Sequence, residues 1–260
     1  MNYTKNVLKA DALCLGPHWI YDQSQLADAY PKGIYAPSDP LSPYHPNRKA
    51  GQNTHLGDQV RFLSESINEF GGYDSENWKK SWLQKMSNYD GYIDGATKAV
   101  LSTGGDEPSS SNEFAVVARI APILDLGLPV DLAVELARDQ AKLTHAGEQI
   151  PEVIEYFVRV IYRIGGGQPV KDSLTAESET DRYPKLAPAA ALKTAEQADK
   201  QDFCSVAKAF GQACSLESAL PLTLYFAIHH GDDIEECLSK NALAGGDSTA
   251  RAMILSMLYT

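Results

Sequence analysis

The chain has 260 residues, 43% of them hydrophobic, which is enough to fill one large hydrophobic core or two small ones. Its formal net charge is −11 and its sequence pI about 5.0, so its surface repels nucleic-acid phosphates and anionic membranes. We therefore expect neither nucleic acid nor a membrane as a partner. No low-complexity linker divides the sequence, which predicts a single domain over residues 1–260.

The cysteines and the N-terminus indicate the compartment. Cys14, Cys204, Cys214 and Cys237 lack CxxC spacing, which favours reduced core residues over disulfides or a metal cluster. The first nine residues lack a basic segment followed by an apolar run, and no apolar stretch reaches bilayer length. We expect a soluble cytoplasmic protein.

Hydrophobic residues recur at helical spacing along most of the chain, and the period-2 alternation typical of strands is nowhere sustained. The pattern predicts an all-α fold. Its helices are expected over residues 3–15, 60–67, 78–86, 98–101, 112–126, 130–143, 152–164, 203–210, 216–229, 233–238 and 250–258.

Two stretches are expected to be loops. Residues 30–50 contain five prolines, which forbid a helix, and a loop of this length is often a lid or a binding loop. Residues 173–188 are polar with little periodicity, which predicts a long connection. The segment His18 to Asp22 follows a Gly-Pro helix stop, where it either lines a cleft or packs on the core.

The C-terminal stretch Gly245-Gly246-Asp247-Ser248-Thr249 concentrates polar groups before an apolar helix. Two glycines allow a tight bend, and an Asp that follows them is a preferred helix cap. Asp247 and the two hydroxyls after it therefore either cap the helix or face a ligand.

Other polar residues also stand near the ends of predicted helices. Thr54 and Asp58 are one helical turn apart and either cap a helix or project toward a shared ligand. Asp94 is placed as an N-terminal cap, and His145 follows a helix end, where it interacts with the helix dipole or serves a function. Arg119, within an apolar helix, needs an anionic partner, either an Asp of the site or a ligand phosphate.

Six segments stand out along the chain: Asp11-Ala12-Leu13, Gly51 to Gln59, Asp94-Gly95-Ala96-Thr97, Arg119-Ile120-Ala121-Pro122, Thr144-His145 and Gly245-Gly246-Asp247. Their order and spacing resemble the ADP-ribosylglycohydrolase family, which includes dinitrogenase reductase-activating glycohydrolase. Residues 18–22 and the proline-rich loop are most similar to the branch that contains jellyfish J-type crystallins and selenoprotein J.

The resemblance implies a compact multi-helix orthogonal bundle that binds two Mg²⁺ or Mn²⁺ ions and hydrolyses the bond between ADP-ribose and a protein side chain. In the family a Thr-Asp-Asp triplet and a Gly-Asp-x-Asp-Thr segment hold the metals. Hard divalent ions need several oxygen ligands, and a metal pair about 3.5–4 Å apart can orient a water molecule and the ribose hydroxyls.

This chain departs from that pattern at the metal ligands. Thr54 matches the triplet, but His55 and Leu56 stand where its two aspartates belong. Asp247 matches the second segment, but Thr249 and Ala250 replace its second Asp and its Thr. One of four expected carboxylates is left. The sequence therefore favours one divalent ion, Mg²⁺, Mn²⁺ or Zn²⁺, or none, over a two-magnesium site.

Two hypotheses follow. In the first, the chain hydrolyses an ADP-ribosyl or related glycosidic bond at a degenerate metal site. Its catalytic residues are then Asp58, Asp247 and His55, its ligand-binding residues are Thr54, Asp94, Arg119, His145 and Ser248, and its metal ligands are Thr54, Asp58, Asp247 and Thr249. In the second, it is a non-catalytic, crystallin-like family member that binds a ligand or serves a structural role. The expected partner is a small-molecule ligand of the ADP-ribose type, which the hydrolase and the ligand-binding alternatives both require.

Overall fold

The computed structural model describes residues 2–260. Within this range the chain forms fourteen α-helices and one 3₁₀ helix, and its extended pairings are two isolated bridges. The helices are α1 (Tyr3–Cys14), α2 (Gln23–Ala29), α3 (His55–Phe70), α4 (Ser75–Met86), α5 (Gly95–Ser102), the 3₁₀ helix (Phe114–Ile120), α6 (Ala121–Leu124), α7 (Val130–Lys142), α8 (Ile150–Gly165), α9 (Val170–Ser178), α10 (Pro188–Gln197), α11 (Phe203–Phe210), α12 (Leu216–His230), α13 (Ile234–Leu243) and α14 (Ser248–Leu258). The prediction of an all-α fold is confirmed.

The last helix, α14, lies at the centre of the packing. All eleven of its residues are buried, and α1, α12, α13 and the 3₁₀ helix contact it. A helix that is apolar on nearly every side must be enclosed by other helices, because any exposed face would leave hydrophobic surface in water. One cluster of buried apolar side chains extends from Tyr3 to Leu258. The residues just before α14 are therefore held from several directions.

Three features differ from the sequence-based expectations. Residues 112–126 do not form one helix, because Pro122 in the first turn of α6 has no N–H for the helical hydrogen bond, and the chain winds as a tight 3₁₀ helix before it. The connection expected over residues 173–188 begins inside α9, which buries Leu174. Helices α2 and α10 had no predicted counterpart, since short helices with few apolar residues carry little periodic signal.

The proline-rich stretch has no helix between α2 and α3, as expected. It is tied to the body of the protein, since the Leu41 N–H donates to the Gly16 carbonyl at 2.9 Å. Within the stretch, the Tyr30 hydroxyl lies 2.7 Å from Ser38 Oγ. Residues 30–54 are called the proline loop below. It places Tyr44 and His45 beside the segment that follows α1.

The structure also shows the state of the cysteines and the hydropathy of the helices. All four cysteines are free; Cys14 and Cys237 are buried, and Cys204 and Cys214 are half-buried. Across residues 2–260, no helix combines the length and the apolar character needed to cross a bilayer.

Candidate active site

Four helix N-termini meet at one cavity. Thr54 is the N-cap residue of α3, Asp94 of α5, Glu113 of the 3₁₀ helix and Asp247 of α14. The cavity has a volume of about 290 Å³. It is lined by Trp19, Tyr21, Tyr44, His55, Leu56, Tyr92, Asp94, Gly95, Glu113, Ala115, Cys214 and Asp247. Helix N-termini carry partial positive charge, so acidic side chains are common at such positions.

A larger depression, of about 730 Å³, lies on another face near α1, α3 and α6. Its acidic residue, Asp125, already accepts the backbone N–H groups of Tyr3 and Thr4 at 2.7 and 2.9 Å and so serves to fix the start of α1. The smaller cavity is the better candidate for an active site, because it alone of the two gathers three carboxylates and an imidazole.

The backbone holds Asp247 in place through the predicted bend. Gly245 and Gly246 have φ angles of +82° and +70°, in the left-handed region that favours glycine. The Gly246 N–H donates to the Ile20 carbonyl at 2.8 Å, and the Asp247 N–H donates to the Gln212 carbonyl at 3.0 Å. The buried guanidinium of Arg251 donates to the Gly245 carbonyl at 2.7 Å. Asp247 is thus fixed at its backbone from three sides.

The side chain of Asp247 does not cap its helix, so that interpretation is wrong in its detail. Asp247 occupies the N-cap position, but its side chain makes no capping hydrogen bond. Its Oδ1 lies 2.8 Å from His18 Nε2, and Thr249 Oγ1 lies 3.1 Å from the same nitrogen. Its Oδ2 is buried without a hydrogen-bond partner among residues 2–260. A buried carboxylate oxygen without a partner costs free energy, which is typical of a functional position.

His55 and Asp94 form a second pair in the cavity. His55 Nε2 lies 3.7 Å from Asp94 Oδ2, and neither ring nitrogen of His55 has a hydrogen-bond partner in the described chain. Burial lowers the pKa of His55 to about 4, although Asp94 and Asp247 act in the opposite direction. Burial raises the pKa of Asp94, but His55 and two hydrogen bonds from Thr97 outweigh it, so the net pKa is lowered. At neutral pH the pair is a neutral imidazole beside a carboxylate.

Aromatic rings form one wall of the cavity. Trp19 packs edge-to-face against Tyr92 and Tyr44, with centroid distances of 4.8 and 5.6 Å, and tilts against His55 at 5.4 Å. Trp19 has a φ of +62°, which is unusual for a residue with a side chain and stores strain. Tyr21 and Tyr44 are more than half exposed. Rings that remain open to solvent at a cavity can stack on a ligand.

Thr54 and Asp58 do not join Asp247 in this cavity, contrary to expectation. The Thr54 hydroxyl donates to Asp11 Oδ1 at 2.6 Å and accepts from the first backbone N–H groups of α3, so it is a structural cap. Asp58 is buried and accepts from Arg61 at 2.8 Å and Tyr89 at 2.6 Å, and it pairs with Arg48 of the proline loop at 3.1 Å. Two guanidinium groups hold it away from Asp247.

Arg119 and His145 lie behind the cavity. They line a separate chamber of about 20 Å³, which shares Asp94 and Glu113 with it. The anionic partner expected for Arg119 is not in direct contact, since its guanidinium donates instead to Gln59 Oε1 at 3.0 Å and to the Thr144 hydroxyl. Burial lowers the pKa of Arg119 to about 10, so the group stays charged at neutral pH. Ser248 is buried and does not line the cavity.

The side chains present do not fit a pair of divalent ions. Thr54 and Asp58 are committed elsewhere, and the His18 ring contacts both Asp247 and Thr249. No group of three or more His, Cys, Asp or Glu side chains in residues 2–260 is arranged to hold a metal ion. Hard cations need several converging oxygens, which this arrangement does not offer.

Several site residues were not among the candidate site residues, although the segment His18 to Asp22 was expected to line a cleft or to pack on the core. His18 contacts Asp247, and its Nδ1 lies 2.9 Å from His45 Nε2. Tyr92 and Glu113 complete the lining. The sequence contained two signals for them: the aromatic and polar cluster of residues 18–22 after the Gly-Pro stop, and the position of Glu113 before an apolar helix. Neither pattern reveals which residues meet across the fold.

The fold and the site together define an all-α protein whose cavity is built from helix N-termini that carry three carboxylates and one imidazole. The family model for ADP-ribosylglycohydrolase matches residues 8–259. The chain therefore belongs to the ADP-ribosylglycohydrolase family.

A solved structure titled "ADP-ribosylglycohydrolase-related protein complex" is similar over 99% of this chain and 84% of its own, with a TM-score of 0.71 and 18% sequence identity. At that identity the likeness shows the shared fold alone. No curated protein matches the chain.

Proposed function

We propose that this chain hydrolyses a ribosyl glycosidic bond, of ADP-ribose or a related compound, with its own imidazole and carboxylates in place of metal ions. Family membership supports glycohydrolase-like chemistry. The observation that carries the metal-independent version is His55, which lines the cavity with both ring nitrogens unpartnered and lies beside Asp94.

In this mechanism His55 is the general base. A neutral imidazole can take a proton from a water molecule that attacks the anomeric carbon, and Asp94 then stabilises the imidazolium that forms. Asp247, which lines the cavity and whose Oδ2 has no hydrogen-bond partner in the described chain, stabilises the positive charge that develops on the sugar ring as the glycosidic bond breaks. His18 holds Asp247 through Oδ1, which leaves Oδ2 for the substrate. Asp58 is not part of this machinery, because it lies outside the cavity.

The test compares wild-type protein with His55→Gln on ADP-ribosyl-arginine and ADP-ribosyl-serine peptides, with release of ADP-ribose as the readout. We expect turnover that EDTA leaves unchanged and that His55→Gln lowers by about 10²–10⁴-fold, the usual contribution of a general base. His229→Gln is the matched control, since His229 is half-buried, binds the Ala195 carbonyl and lies outside the cavity.

A non-catalytic, ligand-binding role is the second candidate. It is favoured by the His18 ring, which contacts the two C-terminal residues that correspond to metal ligands of the family. No release of ADP-ribose from either substrate, together with a ligand-induced rise of the melting temperature, would establish binding without hydrolysis.

A further inference from the structure

The charge of the cavity restricts which part of a substrate can enter it. Three carboxylates, Asp94, Glu113 and Asp247, line it, and no lysine or arginine does so in the described chain. Each helix N-terminus supplies about half a positive charge, and that effect fades within the first turn. The lining thus holds three carboxylates and no cationic side chain, which favours a positively charged ligand over a phosphate group.

A second observation points to a ligand. Asp247 is 1% exposed, and its Oδ2 lacks a hydrogen-bond partner within residues 2–260 although it belongs to a cavity-lining side chain. His55 is 2% exposed, and neither of its ring nitrogens has a hydrogen-bond partner in the described chain. Buried polar atoms are normally satisfied, so these atoms lack a complement that a positively charged ligand can provide.

The aromatic wall indicates a planar cation. Trp19, Tyr44 and Tyr92 pack on one another edge-to-face and, with Tyr21, present ring surface at the cavity. Electron-rich ring faces attract cations, and flat ligands gain stacking contacts as well. A compact ammonium group would use the charge of such a site but not its flat surfaces.

The volume sets an upper limit on the ligand. About 290 Å³ is at the lower end of the roughly 300–1,000 Å³ range of small-molecule sites. This space suits a sugar and one ring better than a dinucleotide. Any phosphates of the substrate would then lie outside the negative cavity, in solvent.

From these observations we propose that the cavity takes an N-ribosyl pyridinium-type substrate, whose leaving group is a positively charged aromatic ring. This inference rests on the proposed hydrolase function and names its substrate class. The C1′–N bond breaks, and its electron pair stays on the ring nitrogen, which becomes neutral. The oxygen of water bonds to C1′, and the proton it loses passes to His55 and then to solvent. No acid is needed to protonate the leaving group.

Recognition is tested separately from catalysis. 1-Methylnicotinamide is a permanent cation, and nicotinamide is its neutral counterpart with the same ring. We expect isothermal titration to give at least about tenfold tighter binding of the cation, as expected for a desolvated cation beside aromatic rings and carboxylates. Glu113→Gln should reduce this preference, whereas Glu69→Gln, which removes an exposed carboxylate of α3, should not. Equal affinity for the two compounds would overturn the proposal.

Catalysis is tested with nicotinamide riboside against inosine, a neutral N-riboside, with release of the base as the readout. Faster hydrolysis of nicotinamide riboside supports the proposal. Hydrolysis of ADP-ribosyl-serine without any preference for the cationic compounds would reject this substrate class while the proposed hydrolase function stands. Tight binding of 1-methylnicotinamide with no hydrolysis of any riboside would reject the hydrolase function and, with it, the substrate assignment.

Discussion

Two aspartates in the same helical position serve different purposes in this chain. Asp94 and Asp247 are both N-cap residues, but only Asp94 uses its side chain to satisfy the start of its helix, through Thr97. The side chain of Asp247 makes no capping hydrogen bond and lines the cavity instead. A capping side chain of Ser, Thr, Asp or Asn stabilises a helix by about 0.5–2 kcal/mol. Because Asp247 does not make this hydrogen bond, its carboxylate does not supply that stabilisation, which indicates another role.

The first prediction concerns metal ions. Because the His18 ring contacts both Asp247 and Thr249, Mg²⁺, Mn²⁺ and Zn²⁺ at millimolar concentration should shift the melting temperature by less than about 1 °C, since only tight binding to the folded state raises it appreciably. The measurement is a thermal-shift titration with EDTA as the reference. A saturable rise of several degrees that Asp247→Ala abolishes would contradict this prediction.

At the scale of elements, Arg48 fastens the proline loop to the buried Asp58 of α3. Arg48 of the loop pairs with Asp58 at 3.1 Å and donates to the Tyr89 hydroxyl at 2.6 Å. Only a few residues away, Tyr44 and His45 pack on Trp19. Asp58, which the sequence suggested as a catalytic residue, is therefore placed to hold the loop against the cavity.

The second prediction follows from that contact. Asp58→Asn removes the charge that Arg48 and Arg61 face, so the loop should loosen and KM should rise roughly tenfold, or about 1.4 kcal/mol, with kcat less affected. Steady-state kinetics on a cleaved substrate measures it. Asp39→Asn is the control, because Asp39 is exposed and lies 3.7 Å from Lys49 in the same loop. A fall in kcat without a change in KM would assign Asp58 to catalysis instead.

The third prediction concerns the bend before α14. A Cβ at Gly246 would lie 2.1 Å from the Gln212 carbonyl oxygen, so Gly246→Ala should destabilise the protein by about 3 kcal/mol or more through steric clash as well as backbone strain. Gly104→Ala is the matched control, since its φ is +65° but nothing lies within 4 Å of the added carbon. That variant should lose only about 1–2 kcal/mol. Urea unfolding compares the two, and equal losses would show that the clash is relieved.

Helical periodicity in the sequence was sufficient to predict the all-α fold and most helix positions, because each long amphipathic helix carries its own local signal. It placed Asp247 at a bend and Asp94 at a cap, both of which the structure contains. It could not predict that Thr54 forms a hydrogen bond with Asp11 or that Asp58 forms an ion pair with Arg48, since the partners come from separate elements. The partners of a polar side chain depend on how helices pack, which no local pattern encodes.

At the scale of the whole molecule, buried neutral histidines tie stability to pH. Burial lowers the pKa of His45 to about 2, and lowers the pKa of His55 and of His230 to about 4. In the unfolded chain each imidazole takes up its proton near pH 6.5. Below that pH the unfolded state binds more protons than the folded state, which favours unfolding.

The fourth prediction is the resulting pH profile. The free energy of unfolding should be highest above about pH 6.5 and should fall as the pH drops toward 4. Each histidine should contribute at most about 1.4 kcal/mol per pH unit to this decrease. Asp11, whose pKa burial raises, acts in the opposite direction at the acid end. Urea midpoints at pH 7.5, 6 and 5 measure the profile, and His230→Gln should flatten it. A midpoint that is constant down to pH 5 would refute the assignment of neutral histidines.

The convergence of four helix starts also bears on how this architecture can change over evolutionary time. A position at the head of a helix accepts Ser, Thr, Asn or Asp with small differences in stability. Exchanges among those four residue types can therefore alter the charge and the proton-accepting groups of the cavity while the hydrophobic interior stays the same. A chain built in this way can lose one set of ligands and acquire another chemistry, or none, without having to refold.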